Sequence, residues 1–368
     1  MIYLDHGATS FPKPPEVCRA VSRAMVSCAN PGRGGHRAAM EAARVVFSAR
    51  QAAAELFTCR EEQVVFTSSC THGLNMAIGT LVRPGARVVV SGFEHNAVVR
   101  PLRRLDARVE VAGRKLFDRA DTLAAWEKAL EKKPDAAVFT AVSNVFGYIL
   151  PVREMAALCR QHGVPFILDA AQGAGSIELS LEDLGADFMA MPGHKGLQGP
   201  MGTGILLCNR LPEPLLSGGT GSESKNPDMP DFLPDRGEAG TVNVAGIAGL
   251  EAGIRLVARM GPEQILTHER RLIRKAVASL QALGMTVFAG EDQGGVASFL
   301  PGCNCQEGAQ RLSDCGIALR AGLHCAPLAH ESVGTLETGT LRFSCGPFTR
   351  EWEIDRFLYA VSTRLRTR

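Results

Sequence analysis

Phe166-Ile167-Leu168-Asp169-Ala170-Ala171-Gln172 is followed, after the run Phe188-Met189-Ala190-Met191, by Pro192-Gly193-His194-Lys195. Both runs are apolar almost throughout rather than alternating, as strands covered on both faces are. Open α/β sheets place their ligands outside the carboxyl ends of the strands, so Asp169 and Lys195 are expected in one crevice. A buried carboxylate there needs a partner. Asp169 alone reads equally well as a helix N-cap after a strand, and Lys195 alone as a solvated loop lysine.

Working outward, strand candidates at 64–67, 87–91, 137–142, 165–169, 187–191 and 204–208 alternate with stretches of helical period. Met40, Ala43, Phe47, Ala54 and Phe57 form one such stretch; Val152, Met155, Ala156 and Cys159 form another. The alternation predicts a doubly wound α/β fold with a mostly parallel sheet wrapped by helices. After about residue 260 a long helical pattern leads into short strands and Gly- and Cys-rich loops. A smaller α+β unit is expected there, closed by the stripe Ile354, Phe357, Leu358, Val361 and Leu365 as a terminal helix. We assign 15–255 to the large unit, and 1–14 with 256–368 to the small one. The segment 217–240, with Gly218-Gly219-Thr220-Gly221, is the longest without apolar period, and loops of that size are usually functional or mobile.

The 368 residues are 45% hydrophobic and 21% charged, which supports a substantial core. Lys and Arg number 40 and Asp and Glu 38, a net formal charge of +2. That balance supplies no basic field for nucleic acid. No apolar run approaches the ~20 residues of a membrane span, and 1–5 opens as a strand rather than a signal peptide. The cytoplasm is therefore the expected location. The 11 cysteines are scattered without a CxxC pair, which disfavours both a disulfide framework and a metal site.

An Asp and a Lys at adjacent strand ends suit a pyridoxal phosphate (PLP) enzyme. The lysine holds the cofactor covalently and the carboxylate keeps its pyridine nitrogen protonated. In Phe66-Thr67-Ser68-Ser69-Cys70-Thr71-His72-Gly73, a strand runs into a helix whose free N–H groups and dipole would receive an anion; a plain N-cap is the simpler alternative. His95, after the strand 87–91, reads as a ring that stacks on a cofactor or shuttles protons, or as a surface histidine. Asn144 reads as a cofactor contact or a turn former. Cys325 lies in Leu319-Arg320-Ala321-Gly322-Leu323-His324-Cys325-Ala326-Pro327, where Arg320 and His324 could favour a thiolate; taken alone it reads as a packed thiol. Arg342, inside a strand-like run, would need an anion such as a substrate carboxylate.

Together these segments resemble the class V (fold type I) PLP-dependent aminotransferase family, in its cysteine desulfurase and selenocysteine lyase branch. Tyr3-Leu4-Asp5-His6-Gly7-Ala8-Thr9 is similar to the family's amino-terminal strand and turn. Pro192-Gly193-His194-Lys195 is similar to its Ser-Gly-His-Lys cofactor motif, and 237–243 to its second glycine-rich motif. The resemblance implies that Lys195 holds PLP, Asp169 pairs with the pyridinium, Gln172 bonds the phenolic oxygen and His95 stacks on the ring. It implies that Cys70, Thr71 and His194 line the phosphate, with Thr241 reaching it from the partner subunit of a homodimer. Asn144 and Arg342, with Asn243 and Arg320 nearby, would orient the substrate. Cys325 falls on the catalytic cysteine, in a compact loop. Two positions depart from the pattern: Pro192 stands where a serine commonly binds phosphate, and Cys70 where threonine is frequent.

The activity so implied is that of a cysteine desulfurase, which converts L-cysteine to L-alanine and leaves a persulfide on Cys325 for transfer to an acceptor protein or thiol. Alternatives on the same fold are a selenocysteine lyase, another PLP-dependent C–S lyase or an aminotransferase. A cofactor-free sulfur-transfer scaffold is a more distant one.

Overall fold

The computed structural model describes residues 1–32 and 34–365. Ile2–Tyr3 (β1) opens the chain. The main sheet is built from Val64–Thr67 (β2), Arg87–Ser91 (β3), Arg108–Ala112 (β4), Ala136–Thr140 (β5), Phe166–Asp169 (β6), Phe188–Pro192 (β7) and Gly204–Cys208 (β8). Its order is β2-β8-β7-β6-β5-β3-β4, and only β8 runs antiparallel to its neighbours. The fold is thus α/β with a mostly parallel seven-stranded sheet, as expected.

Strands β2, β5, β6, β7 and β8 are buried along their whole length, which explains their unbroken apolar runs. The observed strands agree with the six candidates to within two residues at each end. The edge strand β4 was not anticipated: Arg108 and Glu110 interrupt Val109 and Val111, and most of the strand faces solvent. Charged residues on an edge strand block pairing with another chain.

The helix Arg37–Phe57 forms where its period predicted, but its inward face is a different one. Ala39, Ala42, Val46, Ala49 and Ala53 are buried, whereas Met40 and Phe47 are exposed. Small residues let this helix approach the helix Val244–Met260 closely, so bulk alone misidentified the packed stripe.

Thr286–Phe288 (β9), Val296–Leu300 (β10), Arg320–Gly322 (β12) and Thr340–Ser344 (β13) form a second sheet in the order β12-β13-β10-β9. Ile317–Ala318 (β11) pairs instead with β1. Ile2 and Leu4 share a core with Phe299, Phe343 and, from the terminal helix Glu351–Arg364, Ile354, Phe357 and Val361. The amino terminus is thereby tied to the carboxyl-terminal sheet, and residues 5–13 cross from there to the carboxyl edge of the main sheet. No helix among the described residues is long and apolar enough to cross a membrane. All 11 cysteines are free.

Candidate active site

Strands β6 and β7 deliver Asp169 and the Pro192-to-Lys195 turn side by side. Asp169 is 2% exposed. Its Oδ1 accepts the Ala171 N–H at 2.9 Å and the Cys70 thiol at 3.6 Å, which leaves Oδ2 for a further partner. Burial raises the Asp169 pKa, while the Ala171 N–H and the Lys195 charge work in the opposite direction. Burial lowers that of Lys195; Cys70 and Asp169 counteract this, and Arg342 and Arg320 add to it. In both groups burial weighs against the charged form, which an oppositely charged partner would favour.

His95 caps the helix Asn96–Arg104, its Nδ1 accepting the Ala97 N–H at 3.0 Å. The ring proton therefore sits on Nε2 in the neutral form. Burial, then the charges of Lys195, Arg342, Arg100 and Arg320, lower its pKa to about 4, so it is neutral at physiological pH. Beside it, Glu94 is fully buried, with Oε1 bonded by Ser91 and by the Thr140 N–H. Burial pushes Glu94 up to about 8, making it a neutral acid beneath the crevice.

At the mouth, His324 and Cys325 both adopt left-handed backbone conformations, φ 49° and 58°. Such residues cost on the order of 1 kcal/mol or more each and persist where their surroundings hold them. Two bonds hold these: Asn144 Nδ2 donates to the His324 carbonyl at 2.7 Å, and the Asn96 N–H to the Cys325 carbonyl at 2.7 Å. The Cys325 side chain is left exposed. His324 turns inward toward the Thr340 carbonyl, and burial lowers its pKa to about 2. It thus supplies no positive charge to the thiol, contrary to the sequence expectation.

Arg342 is 2% exposed on β13. Its Nη1 donates to the Asn144 carbonyl at 2.9 Å, its Nη2 pairs with Asp5 at 2.7 Å, and its buried Nε has no partner. The sequence reading expected an anion at Arg342 but did not single out Asp5, because 337 residues separate the pair. Gln172 Nε2 donates to the Gly7 carbonyl at 2.8 Å. The His194 carbonyl accepts Thr9 Oγ1, Ser10 N–H, Ser10 Oγ and Lys13 Nζ, a convergence with no signal in local sequence.

Cys70 begins the helix Cys70–Leu81, capped by Ser69, and Thr71 is exposed in its first turn. The first amides of this helix lie at its positive end without helical acceptors. Within one chain, Thr241 and Asn243 are exposed and line a groove with Ser68 and His72 that does not include Lys195. Glu238 anchors this second glycine-rich segment: its carboxylate receives Arg50 and the Phe66 N–H, and the Arg50 guanidinium lies 4.7 Å from the Phe66 ring centroid. A cavity of about 750 Å³ lies apart from these residues, near Phe57, Leu179 and Ile254.

The aminotransferase class-V family model matches residues 2–357. The chain belongs to that family. It is 32% identical to a "Probable cysteine desulfurase" of Methanothermobacter thermautotrophicus over 371 residues, covering 96% of this chain and 92% of that one. It is 31% identical to a "Cysteine desulfurase" of Escherichia coli over 380 residues, covering 97% and 92%. Among solved structures, the apo cysteine desulfurase from Thermococcus onnurineus superposes with a TM-score of 0.90 at 30% identity, covering 99% of this chain and 94% of that one. A NifS-like protein at 23% identity, TM-score 0.84, shares the fold.

The family is PLP-dependent, and the residues present fit that cofactor. A buried carboxylate with one oxygen unengaged, an amine whose proton burial disfavours, a flat neutral imidazole and the buried, unpartnered Nδ1 of His194 converge on one crevice. A cationic pyridinium would relieve the unfavourable charge at Asp169.

Proposed function

We propose that this protein is a PLP-dependent cysteine desulfurase that takes sulfur from L-cysteine onto Cys325 and releases L-alanine. The observation that carries the reading is the strained, exposed Cys325, whose segment two hydrogen bonds tie to Asn144 and to Asn96, the residue after His95. An aminotransferase has no use for a thiol so held. Supporting it, the relatives matched over nearly the whole chain carry cysteine desulfurase names.

Lys195 would hold PLP, with Asp169, Gln172, His95, Cys70, Thr71 and His194 around it, and Thr241 entering from the partner of a homodimer. Bound PLP supplies an electron sink next to the substrate's α-carbon. Lys195, its ammonium form disfavoured by burial, accepts and returns a proton at that carbon. Asp169 stays ionised when its oxygen meets a positive ring nitrogen. His95, with Nδ1 occupied, presents Nε2–H as a hydrogen-bond donor toward the substrate rather than as an acceptor. Arg342 offers its unpartnered Nε to the substrate carboxylate, and Asn144 holds both that guanidinium and the His324 carbonyl.

Cys325 then attacks the substrate sulfur as a thiolate, the nucleophilic form of the thiol. The Cys325 S–S bond forms as the substrate Cβ–S bond breaks, and the electron pair left on carbon is protonated. In sum, L-cysteine and the Cys325 thiol give L-alanine and a Cys325 persulfide, which an acceptor thiol or protein consumes. Mass spectrometry after exposure to L-cysteine without reductant tests this: one added sulfur atom on the peptide carrying Cys325 is expected. A sulfur found on another cysteine, or on none, would overturn the assignment.

A further inference from the structure

The peptide carbonyl of His194, immediately before Lys195, accepts four donors: Ser10 N–H at 2.9 Å, Thr9 Oγ1 at 3.1 Å, Ser10 Oγ at 3.1 Å and Lys13 Nζ at 2.9 Å. A carbonyl has two lone pairs, so this one is engaged beyond ordinary need. The Lys13 bond is charge-assisted and the strongest in kind of the four. Lys13 also donates to Ser10 Oγ at 2.7 Å, so the ammonium reaches the same carbonyl directly and through a polarised hydroxyl. Burial lowers the Lys13 pKa to about 8. No carboxylate pairs with it among the described residues, so ordinary ion-pair stabilisation does not explain a partly buried charge at this place.

The segment that carries Lys13 is itself anchored at several points. Asp5 pairs with Arg342, the Gly7 N–H donates to Ser344 Oγ at 2.8 Å, and the Gly7 carbonyl accepts Gln172. Both sheets therefore fix the strap from which Lys13 reaches the Lys195 turn.

We propose that Lys13 is a positioning residue for Lys195: by fixing the His194 carbonyl it fixes the peptide plane from which the Lys195 side chain departs toward Asp169. This rests on the reading of Lys195 as the PLP-bearing residue. Lys13 touches neither substrate nor cofactor in this role, and its effect passes through the backbone of one peptide unit.

The test uses the PLP-loaded protein. Borohydride reduction followed by peptide mapping first locates the labelled lysine in the unmodified chain. Lys13→Met and Lys13→Arg are then compared by the visible absorption of bound PLP, kcat and KM for L-cysteine, and thermal melting. Lys13→Met is expected to shift the PLP band and lower kcat by about tenfold, since small misplacements of a reacting group cost that much or more. KM should stay within about twofold, and Lys13→Arg should restore both band and kcat. A Lys13→Met protein with unaltered band and kcat overturns the proposal, as does equal impairment of both variants accompanied only by a lower melting temperature. Should Lys13→Met fail to fold, Lys13→Gln carries the same comparison. A label on a residue other than Lys195 removes the reading of the site together with this proposal, whereas a label on Lys195 with unaltered Lys13→Met removes the proposal alone.

Discussion

Glu269 sits on the helix Pro262–Ala282 at the seam between the two sheets, 7% exposed. It lines a cavity of about 40 Å³ together with His6, Gln172, Gln198, Lys195 and Cys345. A side chain at Gly295 would place its Cβ 2.3 Å from Glu269 Oε2, so the carboxyl packs directly against this glycine and would have to shift for a larger residue. Burial alone pushes its pKa from 4.5 up to about 8. Below about pH 4.5 the group is protonated in both folded and unfolded chains and costs nothing. As pH rises only the unfolded chain ionises, so stability falls by about 1.4 kcal/mol per pH unit until the folded carboxyl also ionises near pH 8. The full loss is about 4–5 kcal/mol. Replacing Glu269 by Gln keeps the shape and removes the titration. Guanidinium unfolding of both proteins at about pH 5.5 and about pH 8 should show the advantage of Glu269→Gln growing by about 3 kcal/mol. Within that interval His6, lowered to about 4, and Cys345, raised by burial, do not change charge in the folded protein. An advantage equal at both pH values, or a variant less stable at the higher one, would refute the reasoning.

Two further perturbations bear on the crevice. Asp169→Asn should retain PLP on Lys195 yet lower kcat on the order of a hundredfold or more, because the neutral amide cannot hold a positive ring nitrogen; unchanged turnover would contradict the assigned pairing. Asp5→Asn leaves the buried Arg342 guanidinium without its countercharge, so melting should reveal a loss of about 1–3 kcal/mol and kinetics a raised KM for L-cysteine; a lowered KM would mean that Asp5 competes with the substrate instead.

What the sequence made legible follows from the range of each interaction. The runs at β6 and β7 read as buried strands because every residue in them is covered, and Asp169 and Lys195 follow from their ends. The family motifs then carried the cofactor reading. The edge strand β4 escaped because its exposed charges break the apolar pattern. The inward face of the helix Arg37–Phe57 escaped because alanines, not the bulky Met40 and Phe47, make the contact. Asp5, Lys13 and Glu269 owe their roles to partners far along the chain, and no local spacing encodes them. His324 was read as a cation from its neighbours in sequence, whereas burial beside Arg342 makes it neutral.

The central claim is that Cys325 takes the sulfur while PLP on Lys195 activates the substrate. Alanine and sulfide release from L-cysteine, measured with a reducing thiol for the wild type and for Cys325→Ala, tests it most directly. The account predicts equal amounts of alanine and sulfide from the wild type and loss of both from Cys325→Ala, with the PLP colour intact in each. Equal release from the two proteins would contradict it and would return the chain to the lyase or aminotransferase reading on the same fold.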